Sequence, residues 1–82
     1  MPNPIPLQVA DIYVPGPRKK TLEADKVETL ANDILENGQT TPIRVREGKG
    51  RYVLVEGLHR LEAMRALGEE RIVAYITQAR QH

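Results

Sequence analysis

Between residues 53 and 68 the hydrophobic pattern changes its period within a single residue. Val53-Leu54-Val55 is an apolar run that stops at Glu56-Gly57. Leu58 to Leu67 then repeats at helical spacing until Gly68. Run, glycine and repeat predict a strand, a one-glycine turn and a helix. The first amides of a helix have no partner inside it and attract anions. His59 and Arg60 add side-chain donors at that end, where a cation opposes the helix dipole unless an anion relieves it. The bend is therefore expected to hold phosphate.

Eighty-two residues suffice for one domain with a small core. The expectation is a single unit over residues 1–82, frayed at 1–4 and 77–82. Cysteine is absent, which excludes disulfides, a thiolate zinc site and a thiol nucleophile; serine is absent too, which excludes a serine triad. The two histidines, His59 and His82, are too few for a histidine-rich metal site, and none is expected from protein ligands alone. Twelve basic against eleven acidic residues leave a net charge of +1, a weak signal for nucleic acid. With no Trp, no Phe and three Tyr, a base-stacking platform is poorly supplied. No apolar run could span a membrane and no signal-peptide pattern opens the chain, so a cytoplasmic setting without a membrane partner is expected.

Five of the six prolines lie before residue 18. Alternating Ile5, Leu7 and Val9 predict a short strand and residues 11–14 a second extended piece, both at sheet edges because proline cannot donate to a ladder. Arg18, Lys19 and Lys20 form a basic cluster expected in a loop, either a solvated turn or further cations near the anion site. Residues 25–37 give the clearest helix, with Val27, Leu30, Ala31 and Ile34 on one stripe. Asp25 with Glu28 resembles a capping box, and Gly38 stops the helix. Lys26, Thr29 and Asp33 share one edge of that stripe, a pattern that an ordinary solvated face also explains.

Residues 42–46 alternate as a strand, 47–50 turn, and 51–56 form a more apolar strand, which predicts a hairpin. Arg44 and Arg46 point to one face, read as solvent-facing charges. In the second helix Leu61, Ala63, Met64 and Leu67 share a broad apolar side. Arg60 precedes Met64 by one turn and so aims inward, where it needs a partner. Glu56, Asp33 or a bound phosphate would serve; His59 would either cap, pack or bind. Residues 71–76 predict a last strand, reached by a right-handed crossover if it runs parallel to 51–56. The fold class is a small α+β domain with a mixed sheet and two main helices. Gly57 is followed by neither a Walker lysine nor a second motif glycine, so the two common phosphate-loop fingerprints fail.

Taken in order, Pro17-Arg18, the helix Lys26-Val27-Glu28-Thr29-Leu30-Ala31-Asn32-Asp33-Ile34, Glu36-Asn37-Gly38 with Pro42-Ile43-Arg44-Val45, and Val55-Glu56-Gly57-Leu58-His59-Arg60 resemble the ParB/sulfiredoxin superfamily, in particular the ParB N-terminal (ParB-like nuclease) domain. The resemblance covers residues 5–76. It implies a nucleotide site, ATP or CTP with Mg2+, in which His59 and Arg60 hold phosphates and Gly57 permits close backbone approach. The sulfiredoxin pattern Lys-Val-x-Ser-Leu falls on Lys26 and Thr29. Sulfiredoxins need a cysteine directly before His-Arg; Leu58 stands there, which excludes sulfinic acid reduction by that route. Partition ParB proteins carry Gly-Glu-Arg-Arg at this turn, together with following helices that bind DNA and close a clamp.

Two functions follow as expectations. The first is a nucleotide-binding module in a DNA-partition context, with weak NTPase or phosphoryl-transfer activity. Glu56 would be its catalytic carboxylate, as free-serine kinases of the superfamily also place an acid before the glycine. The second is a DNA-binding or nuclease module using Arg18, Lys19, Lys20, Arg44 and Arg46. A third reading is a scaffold for a protein partner or self-association.

Overall fold

A computed structural model describes residues 3–77. The apolar run forms a strand, Arg51–Glu56, and the helix Leu58–Ala66 starts directly after Gly57. Gly57 turns the chain in the left-handed region, φ 112°. A Cβ there would lie 2.6 Å from Ile43 Cγ2 and 2.9 Å from its Cβ. Both backbone conformation and packing therefore demand glycine.

Among the described residues five strands make one sheet: β1 (Ile5–Gln8), β2 (Ile12–Tyr13), β3 (Ile43–Gly48), β4 (Arg51–Glu56) and β5 (Arg71–Thr77). Their spatial order is β1-β5-β3-β4-β2. The two proline-flanked segments take the two edges, as expected. The first is shorter than its alternation suggested, because a single 3-10 turn, Val9–Asp11, buries Val9 and sends its N–H to Glu70 O at 2.8 Å. β3 and β4 form the predicted antiparallel hairpin, and β3 runs on to Gly48, narrowing the turn to Lys49 and Gly50.

The condition for a parallel crossover is not met. β5 lies on the far side of β3 and pairs with it in parallel, so it runs opposite to β4. A nine-residue helix rises about 14 Å. β4 ends and β5 begins at the same end of β3, so the helix carries the chain across the sheet rather than back to the start of β4. Thr77 closes β5 and donates its hydroxyl to Val45 O at 3.2 Å, so residue 77 is not frayed. Asn3 and Pro4 are exposed and carry no regular secondary structure, and the rest of the fraying expectation, at residues 1–2 and 78–82, lies outside the described residues.

The helices are α1 (Gly16–Lys19), α2 (Ala24–Asn37) and α3 (Leu58–Ala66). The basic cluster is thus a one-turn helix, not a loop; Pro17 at its start has no N–H to lose. α3 lies on the sheet and buries Leu58, Leu61, Ala63 and Met64 against Ile12, Val45, Leu54, Ile72 and Ala74. α2 packs chiefly on α3, so its stripe is only half-buried, with Ile34 reaching the core. The expected capping box is absent: α2 begins one residue earlier, Glu23 is its N-cap, and no side chain caps from within the helix. His59 Nε2 instead accepts the Glu23 N–H at 3.0 Å, tying the start of α2 to the start of α3. Accepting at Nε2 requires a neutral ring carrying its proton on Nδ1.

Two features had no sequence signal. A bulge puts Val55 between the Leu54–Val45 and Glu56–Arg44 pairs, so Glu56 joins Arg44 on the outer face. The Gln39 carboxamide accepts from Val73 N–H at 2.8 Å and donates to Val73 O at 2.9 Å. It extends the ladder of β3 one step past Pro42, which has no N–H to offer.

Gly57→Ala is expected to cost about 3 kcal/mol in urea unfolding, against about 1 kcal/mol for Gly50→Ala. At Gly50 φ is also positive, but nothing lies within 4 Å of the added methyl. Equal losses would remove the Ile43 contact as the cause. His59→Ala is expected to lower stability by about 1 kcal/mol, the usual scale for a lost cap.

Candidate functional site

α1, α2 and α3 converge on one cleft of about 530 Å3. Arg18 and Thr21 come from α1 and the residues after it. Asp25, Lys26, Thr29 and Leu30 come from the first turns of α2, and Gly57, Leu58, His59 and Arg60 from the start of α3. Of the residues singled out in the sequence, Arg18, Lys26, Thr29, Gly57, His59 and Arg60 are brought together here. Lys19 and Lys20 are exposed and do not line the cleft. Arg46 is exposed on the outer face of the sheet. Glu56 and Arg44 lie in an adjoining pocket of about 220 Å3 with Thr41, Pro42 and Tyr75, and Gly57 and Arg60 border both spaces.

The charges differ in how they are engaged. Lys26 Nζ lies 3.0 Å from Glu23 Oε2, an exposed pair that is easily exchanged. Neither carboxylate considered for Arg60 holds it: Glu56 lies 3.5 Å from Arg44 Nε, and Asp33 accepts from Asn37 Nδ2 at 2.9 Å. Arg60 is half-buried and forms no ion pair among the described residues. A guanidinium in that position, at the positive end of α3, calls for an anion. The cleft beside it is open rather than filled by side chains.

His59 has one nitrogen committed to Glu23, which leaves Nδ1–H as its free donor. The Thr29 hydroxyl donates to Asp25 O at 3.0 Å and keeps its lone pairs free. Thr21 and Asp25 were missed as site residues. Thr21 owes its place to a hydroxyl bond to Arg18 O at 2.7 Å, which no periodicity announces. Asp25 had been read as a cap, although it stands one turn before Thr29 on the same side of α2. Among the described residues no three His, Asp or Glu side chains are grouped to hold a metal ion, and no helix is long and apolar enough to cross a membrane.

Comparison with known proteins agrees with this fold. The model of the ParB N-terminal domain family matches residues 5–82. A probable chromosome-partitioning protein ParB of Campylobacter jejuni is 36% identical over 58 residues, covering 71% of this chain and 21% of that protein. The chain thus spans about a fifth of the length of this curated relative. The sulfiredoxin of Arabidopsis thaliana superposes with a TM-score of 0.85 at 32% identity, covering 95% of this chain and 88% of that one. A C-terminally truncated ParB of Caulobacter crescentus, complexed with CTP-gamma-S, superposes with a TM-score of 0.83 at 23% identity, covering 96% of this chain and 46% of that one. By the family match and the shared fold, the chain belongs to the ParB N-terminal domain family, within the ParB/sulfiredoxin superfamily.

Proposed function

We propose that the cleft between α1, α2 and α3 binds the phosphates of a nucleotide, ATP or CTP, taken up with Mg2+. The observation that carries the reading is Arg60: half-buried, without an internal ion-pair partner among the described residues, and facing an open cleft at a helix N-terminus. The α3 amides and Arg60 receive phosphate oxygens. His59 donates through Nδ1 while Nε2 stays on Glu23. Lys26 trades Glu23 for phosphate at little cost, because that pair is exposed. Thr29 and Arg18 bound the cleft from α2 and α1. Mg2+ would supply charge neutralisation between phosphate oxygens, and such an ion needs at most one or two carboxylates beside water and phosphate. Asp25 is the carboxylate in the cleft.

Weak NTPase or phosphoryl-transfer activity is part of the same reading, with Glu56 as the candidate general base. Glu56 borders the adjoining pocket that Arg60 also lines, and its pair with Arg44 is 73% and 57% exposed on the two sides, so it is readily given up. Sulfinic acid reduction is no part of it, since Leu58 fills the cysteine position and is buried in the core. The Campylobacter relative supports a chromosome-partition context, in which the exposed Lys19 and Lys20 are candidate DNA contacts.

Isothermal titration with ATP and with CTP, each with Mg2+, is expected to show binding that Arg60→Ala weakens about 10- to 100-fold, the scale of a charge-assisted hydrogen bond. Glu56→Gln is expected to leave affinity within about threefold while abolishing any slow phosphate release. No heat at millimolar nucleotide would remove the reading.

A further inference from the structure

The sheet face turned away from α3 carries a second concentration of chemistry. Paired residues in a ladder share a face, so Tyr13, Val53 and Arg46 stand in one row across β2, β4 and β3. Arg44 and Tyr75 stand in the next row across β3 and β5. Arg51 lies two residues before Val53, hence on the same face, and its guanidinium carbon sits 3.8 Å from the Tyr13 ring centroid. Tyr13 is 41% exposed, and Arg46 and Arg51 are exposed without an ion pair among the described residues. Glu56, paired with Arg44, is the carboxylate that the register puts on this face. Asp11 and Glu47 border Arg51 at the hairpin end and limit the basic surface there. Val53 is only 7% exposed although it stands outside the main core cluster, so neighbouring side chains cover it.

We propose that this face binds single-stranded nucleic acid, centred on Tyr13, Arg46 and Arg51 away from the nucleotide cleft, with its Arg44–Tyr75 end bordering the pocket that Arg60 also lines. Arg44, Arg46 and Arg51, with Arg71 further along β5, stand against one carboxylate and give the charge that a phosphate backbone requires. The Tyr75 ring and the stacked Tyr13–Arg51 pair give flat surfaces on which unpaired bases stack. A duplex offers phosphates but hides its base faces, so it uses only half of this surface. Adjacent strands are about 4.8 Å apart, so the platform from β2 to β5 spans about 14 Å, room for about three bases. Tyrosines that looked too few by count are sufficient when two of the three share one face.

The test is fluorescence anisotropy with a labelled oligo(dT) of about 15 nucleotides and a duplex of equal length, in about 50 mM salt. Oligo(dT) should bind more tightly than duplex, with a log–log salt slope near about −2 for three phosphate contacts on a single strand. Tyr13→Ala and Arg46→Glu should each weaken it about tenfold, with thermal melts confirming that the variants fold. Saturating ATP should not displace the oligonucleotide. Amide chemical shifts of the unaltered protein should move in β2 to β5 and not at α1 or the start of α2. Absence of binding, equal affinity for duplex, displacement by ATP, or shifts centred on the cleft would each overturn the proposal.

Discussion

The contact between Gly57 and Ile43 governs the positions of everything functional in this domain. The glycine Cα presses on a side chain that is itself 1% exposed, with no room for a β-carbon. That closeness fixes where β4 ends relative to β3 and in which direction α3 leaves. His59 and Arg60 stand on the first turn of α3, so their placement is inherited from a packing constraint two and three residues earlier. The bulge at Val55 acts with it: it turns Glu56 to Arg44, in the pocket that adjoins the cleft.

Much of this was legible in the order of residues because the signals were local. The period change at Gly57, the stripe on α2 and the alternation of β3 and β4 each lie within one segment, and each marks a real element. The family resemblance then gathered Lys26, Thr29, His59 and Arg60, and the fold brings all four to one cleft. What escaped was non-local. The position of β5 depends on which flank of β3 is free, since β4 already occupies the other. The cap on α2 comes from His59, 36 residues away, so no pattern around Asp25 could reveal it. The bulge leaves no mark either, because Val53, Leu54 and Val55 are all apolar whether they face in or out.

The cleft shows how few strong attachments a binding site of this kind contains. Lys26 is held by an exposed ion pair, Thr29 by its own helix carbonyl, and Arg60 by nothing charged among the described residues. His59 is the exception, with one nitrogen structural and the other available. Such an arrangement keeps its cations near the right positions at low energetic cost of release. It also couples the two helices: any ligand that pulls on His59 pulls on the residue that begins α2.

The sheet ends in a β1 that contains Pro6 and a β2 only two residues long. Such margins are poor templates for a strand from another molecule, since one lacks a donor and the other offers too short a ladder. An uncovered β face would ordinarily be a hazard for self-assembly into fibrils. Here the protein can leave that face bare to solvent, because growth by strand addition is blocked at both sides.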